Sequence, residues 1–227
     1  VNVSPALVAG NYDNVTTFKN STMRGKLGAG KFLFDNSIFW QGEINQGAQI
    51  EFKQSITSNR FSMTVGAAGS LILNNAKSFG NITVTTISSD NVTVRADGGS
   101  ENYGTIAGGG SVQFRGSDNI GTIQNLNDLD FTSSSNQGLI KDIEYLTFNG
   151  ANNLGIIDNQ KAFNFTNSFN GGSVTIHEGV CHFLSSTNGG AFTSPSIYLE
   201  EINPTIPATA KYAGDFTANG AYRAPPV

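Results

Sequence analysis

The densest group of reactive side chains in the sequence is His177, Glu178, Cys181 and His182, which places imidazole, carboxylate and thiol within six residues. These are the types that hold zinc. The spacing works against it: His182 falls in a column of large apolar residues that must face a core, and Glu178 and Cys181 do not converge on it. No metal ligand and no cofactor is assigned. A second group is Asp128, Asp130 and Tyr145. The two aspartates flank Leu129, so in an extended strand both leave the same outer face, and Tyr145 follows Asp128 by 17 residues. Paired carboxylates beside an aromatic ring are what a sugar-binding or glycosidase groove needs. Alternate positions on one exposed strand are also ordinary surface. The three residues are carried as a saccharide-binding face, no catalytic residue is assigned, and the chain is read as a non-enzyme. Neither a Ser-His-Asp pattern nor a phosphate-binding loop is identifiable.

What must position such residues is a repeat. Gly104, Gly121, Gly138, Gly155, Gly172 and Gly189 stand 17 residues apart. Phe114, Phe131, Phe148 and Phe165, ending on His182, run seven positions ahead of the last five glycines. Val112, Leu129, Leu146, Phe163 and Val180 precede that column by two residues, and Asn102, Asn119, Asn136, Asn153 and Asn170 precede the glycines by two. A fixed period with alternating apolar positions is the sequence form of a coil that repeats once per turn and buries its core between turns. Alternation in Val112-Gln113-Phe114 and Leu146-Thr147-Phe148 argues strands. The segments between, such as Arg-Gly-Ser-Asp-Asn at 115–119, are turn material.

With insertions at turns the repeat extends upstream. Coils are expected near Phe18, Phe34, Phe52, Leu73, Val94, Phe114, Phe131, Phe148, Phe165 and His182, with three extra residues in the Ala96–Asn102 turn and Asn59 standing at the glycine position of the third coil. The expectation is an all-β, right-handed parallel β-helix of about ten coils. At roughly 4.8 Å per coil the rod is on the order of 50 Å long. The Phe column is expected to stack inside. The Gly column fits either an inward position opposite a phenyl ring or a corner with positive φ. The Asn column fits an amide ladder at a corner. Residues 1–15 are expected to cap the rod, 16–192 to form it, and the Pro-rich 193–227 to be either a strap folded back on the rod or an arm docked on another subunit.

Composition narrows the function classes. With 13 Lys and Arg against 17 Asp and Glu, a net charge of −4 and no basic cluster, nucleic acid is excluded as an expected partner. Charges that do occur pair along the repeat, Glu144 with Lys161 and Lys141 with Asp158, as surface ladders of little individual worth. A single cysteine excludes an internal disulfide, and nothing resembles a membrane span. The start at Val1 suggests a processed product or excised domain. Sequons at Asn2, Asn14, Asn20, Asn81, Asn91 and Asn164 carry little weight in a chain so rich in Asn, Ser and Thr. An ice-binding threonine array is excluded, because the position after each of the first five glycines reads Thr105, Thr122, Leu139, Ile156 and Ser173.

The phrases Asn-Tyr-Gly-Thr-Ile (102–106), Asn-Ile-Gly-Thr-Ile (119–123) and Asn-Leu-Gly-Ile-Ile (153–157), alternating with Ser-Val-Gln-Phe and Tyr-Leu-Thr-Phe, resemble coils of parallel β-helices in secreted bacterial adhesins of the filamentous-haemagglutinin and autotransporter type and in phage or viral fibre proteins. The likeness covers residues 16–190, and its 17-residue turn is shorter than is usual in those adhesins. It implies surface display, extracellular or on a virion, with attachment or self-assembly through chain ends or the C-terminal arm, and a cell-surface glycan as a partner. The resulting expectation is a structural or adhesive component of an extracellular assembly, filament or virus particle, with a carbohydrate-binding or carbohydrate-cleaving β-helix of tailspike type as the alternative.

Overall fold

A computed structural model describes residues 15–28, 30–44, 47–66, 69–85, 94–200, 216–218 and 222–223. Among them the only regular elements are strands, and every strand pairs in parallel with its equivalents in the coils before and after. Thr122, Leu139, Ile156, Ser173 and Ala191, for example, are successive partners in one ladder. The chain is a parallel β-solenoid of about ten turns.

The interior follows from the alternation. The inward column reads Phe18, Phe34, Phe52, Leu73, Ala96, Phe114, Phe131, Phe148, Phe165 and Phe183. Phe114, Phe131 and Phe148 stack nearly face to face, with centroids 4.8 and 5.0 Å apart and planes within 8°. Phe18, Phe34 and Phe52 form a second stack at 4.8 Å spacing. The centroid distance matches the coil rise, so each ring rests on the one below. Leu73 and Ala96 interrupt the column between the two stacks, which are separate for that reason.

Three registers differ from the sequence reading. Phe183, not His182, pairs with Phe165, and Cys181 replaces Val180 as the buried residue two positions earlier, leaving Val180 47% exposed. The cause is one extra residue, absorbed around Gly179, whose φ of 94° is in the left-handed region. The same shift puts Gly190 rather than Gly189 in the glycine column and extends the asparagine column to Asn188. Upstream, Ala96 rather than Val94 takes the Phe position, because Val94 pairs with Leu71 and Val112. The turn after it holds a single extra residue, with Gly98 and Gly99 both left-handed at φ 62° and 81°. In the third coil the glycine position is held by Phe61, opposite Gly42, and not by Asn59.

From Gly104 onward the glycine column serves neither of the two purposes expected of it, whereas Gly25 and Gly42 upstream have φ of 128° and 153°. From Gly104 onward its members have no positive φ. A Cβ built on Gly121, Gly138, Gly155, Gly172 or Gly190 would lie 1.9 to 2.2 Å from the carbonyl oxygen of the glycine one coil earlier. Glycine is required by close approach of backbone to backbone between coils. A regular row of left-handed positions lies elsewhere, two residues after the Phe column, at Asn20, Asn36, Gln54, Asn75, Gly98, Gly116, Ser133, Gly150, Asn167 and Ser185, with φ between 48° and 62°.

The stack does not stop at Phe192. Ser196–Glu200 pairs in parallel with Val180–Leu184, Phe216–Ala218 with Phe192–Ser194, and Tyr222 and Arg223 with Ile197 and Tyr198. All but Val15 of the expected cap at 1–15, and most of the expected strap or arm at 193–227, lie outside the described residues.

Candidate functional site

Asp128 and Asp130 lie on the outer side of the strand that carries the Phe column, and Tyr145 is the partner of Asp128 one coil later. The three are therefore gathered on one face. Gln113 Nε2 donates to Asp130 Oδ2 at 2.8 Å, and Thr132 Oγ1 donates to the same carboxylate at 3.2 Å, so both oxygens of Asp130 are engaged. Partial burial holds the Asp128 carboxyl above its ordinary pKa. Tyr145 is 64% exposed beside it.

The His177 to His182 group is dispersed. His177 Nε2 lies 2.8 Å from Asp158 Oδ1, on the outer surface. Cys181 points into the core, where burial pushes its thiol pKa up to about 11 against smaller lowering contributions from the Phe163 backbone and the Ser194 hydroxyl. No group of three or more metal-ligating side chains occurs among the described residues. Lys161 pairs with Glu144. Lys141 stands in register with Asp158 but bridges Asp142 at 3.8 Å, while Asp158 is held by His177.

The most ordered chemistry lies at two corners. At the Asn corner, Asn102 Nδ2 donates to Asn119 Oδ1, and the chain of buried amides continues through Asn136, Asn153, Asn170 and Asn188 at 2.6 to 2.8 Å. Each Nδ2 also donates to the carbonyl two residues on, as Asn188 does to Gly190 at 2.9 Å. The ladder begins at Asn102 Oδ1, a buried oxygen that accepts no hydrogen bond. At the other corner a serine ladder went unread in the sequence. Ser37, Ser55, Ser117, Ser134, Ser168 and Ser186 each donate to the carbonyl two residues earlier. Their oxygens accept from backbone N–H groups one coil back, as Ser134 Oγ does from Ser117 N at 3.1 Å. The signal was present: Ser117, Ser134 and Ser168 share the 17-residue period.

The Asn corner also forms a ridge. In Asn102-Tyr103-Gly104 the N–H groups of Tyr103 and Gly104 both donate to Ser78 O, at 2.7 and 3.1 Å, which throws the middle side chain outward. The same corner in other coils exposes Trp40 (43%), Phe79 (39%), Tyr103 (38%) and Leu154 (52%), with Phe169 (37%) beside them. The rings of Phe79 and Tyr103 stack at 4.6 Å and 7°. Glu101 links the pair to charge, accepting from Tyr103 Oη at 2.8 Å and bridging Lys77 Nζ at 2.5 Å. Those contacts hold Glu101 below and Lys77 above their usual pKa values.

Comparison with known protein families, with curated proteins and with solved structures gives no significant match to this chain. The ridge and the ladders therefore have to be interpreted from their own chemistry.

Proposed function

We propose that this protein is a structural or adhesive β-solenoid of an extracellular surface assembly, filament or virus particle, and that copies associate side by side. The observation that carries the reading is the row of exposed apolar side chains along the Asn corner, Trp40, Phe79, Tyr103 and Leu154, with Phe169 beside it. Exposed apolar side chains gathered along one corner mark an interaction site, although Ser58 and Gln137 interrupt this row. A solenoid repeats its corner at every coil, so a ridge on one rod faces a ridge of the same pitch on another. A chain with only 13% charged residues offers little repulsion to that approach. The coil phrases resembling secreted adhesins support the same reading, as does a single cysteine that is buried and largely un-ionised at neutral pH, which suits an oxidising environment.

Light scattering combined with electron microscopy tests the proposal. The expected result is ordered particles heavier than one 24.0 kDa chain, reverting to single chains when Trp40, Phe79 and Tyr103 are all changed to Ser. A wild-type chain that stays single at every concentration, with the triple variant indistinguishable from it, would overturn side-by-side association.

A further inference from the structure

A depression of about 620 Å³ opens along the serine corner of the first four coils. One wall is the row of left-handed residues Asn20, Asn36, Gln54 and Asn75. A left-handed turn is readily made by Gly or Asn, and the following coils use Gly98, Gly116, Ser133, Gly150, Asn167 and Ser185 at this place. The first four coils instead carry an amide in every turn, including Gln54, a residue type with no special tolerance for positive φ. Local conformation accounts for the three asparagines and leaves Gln54 unexplained; what the four turns share is an unbroken row of amides along the rod.

Those amides are largely uncommitted. Asn36 Nδ2 donates to Asn20 Oδ1 at 2.7 Å, which aligns the first two along the rod axis. The side chains of Gln54 and Asn75 have no hydrogen-bond partner among the described residues. Opposite the amides the depression is lined by Ile56, 42% exposed, the one apolar side chain in its lining. Between the walls lies Ser55, buried and already bonded to Lys53 O and Phe34 O. The two ammonium groups at the margin are matched by carboxylates, Lys19 with Asp35 at 3.9 Å and Lys77 with Glu101 at 2.5 Å.

We propose that this groove binds a neutral saccharide chain lying along the rod axis across the first four coils. Each amide offers two donors and an acceptor, the complement of adjacent sugar hydroxyls. The exposed Ile56 side chain suits the C–H face of a pyranose ring, and with Lys19 and Lys77 both paired neither lining ammonium is free to select a polyanion. The site is distinct from the Asp128, Asp130 and Tyr145 face, and it does not depend on side-by-side association, so either can fail without the other.

The test is a titration of the ¹⁵N-labelled full chain with hexasaccharides of cellulose, xylan, mannan, chitin and starch, read on the side-chain NH₂ signals. At least one probe is expected to shift the signals of Asn20, Asn36, Gln54 and Asn75 together. Asn36→Gly with Gln54→Gly, a change the turn tolerates, should weaken that probe roughly tenfold or more, whereas Tyr145→Ala should leave it unaltered. The proposal is overturned if no probe moves these signals, if binding survives the glycine variant, or if dextran sulfate competes in a salt-sensitive manner.

Discussion

Phe131 and Gly138 show how much a single position carries when every coil rests on another. Phe131 is fully buried between Phe114 and Phe148, so Phe131→Asp places a carboxylate in an aromatic stack with no partner. The expected loss is about 5 kcal/mol or more, which removes cooperative melting near the wild-type temperature; a wild-type melting curve would disprove the inward assignment. At Gly138 a methyl group would sit 1.9 Å from Gly121 O. Gly138→Ala should therefore cost about 3 kcal/mol or more, against about 1 kcal/mol or less for a glycine with open surroundings, for which Gly109 is the internal control. Asp128 sets a pH dependence. Because burial raises its pKa, the folded chain holds this proton more readily than the unfolded chain. Stability contributed here is greatest at low pH and falls as pH rises through the carboxylate range. Asp128→Asn should thus raise the melting temperature at neutral pH and lose that advantage near pH 3, below the ordinary aspartate value of about 3.9. An advantage that persists unchanged in acid would contradict the assignment.

Among the elements, the strands that carry the Phe column were legible because alternation and period agreed over Val112–Phe114, Leu129–Phe131 and Leu146–Phe148. Register failed where the period broke. An insertion at Gly179 leaves two apolar-compatible alignments, and His182 fitted the count while Phe183 fits the core. The role of the glycine column could not be read from one chain's local conformation, since it arises from the carbonyl of the coil below. The serine ladder was overlooked because serine in a turn already has a local explanation. The asparagine ladder was legible from period alone, and it is testable. Asn136→Ala removes the acceptor of Asn119 Nδ2 and the donor to Asn153 Oδ1, both buried. A loss of about 2 to 4 kcal/mol is expected from two groups left short of a partner. Chemical denaturation that finds less than about 0.5 kcal/mol would show that the amides are independently satisfied, as surface substitutions usually are.

For the whole molecule, the candidate saccharide face illustrates the limit of reading function from residue types. The sequence brought Asp128, Asp130 and Tyr145 together correctly as neighbours. The ridge is harder to read: Tyr103 and Leu154 stand three whole periods apart but with Ile120 and Gln137 between them, and Trp40 and Phe79 join the same corner only once the upstream insertions are placed. The same uneven spacing hid the amide-lined groove. A rod with ladders inside and a ridge outside has two ways to assemble, end to end through open strand edges or side by side through the ridge. Small-angle X-ray scattering of the full chain over a range of concentrations separates them. Side-by-side association predicts a cross-sectional radius that grows with concentration while the rod length stays near that of one chain, and that stays small in the Trp40, Phe79 and Tyr103 triple serine variant. A constant cross-section, whether the rod lengthens or remains a single chain, would contradict the account.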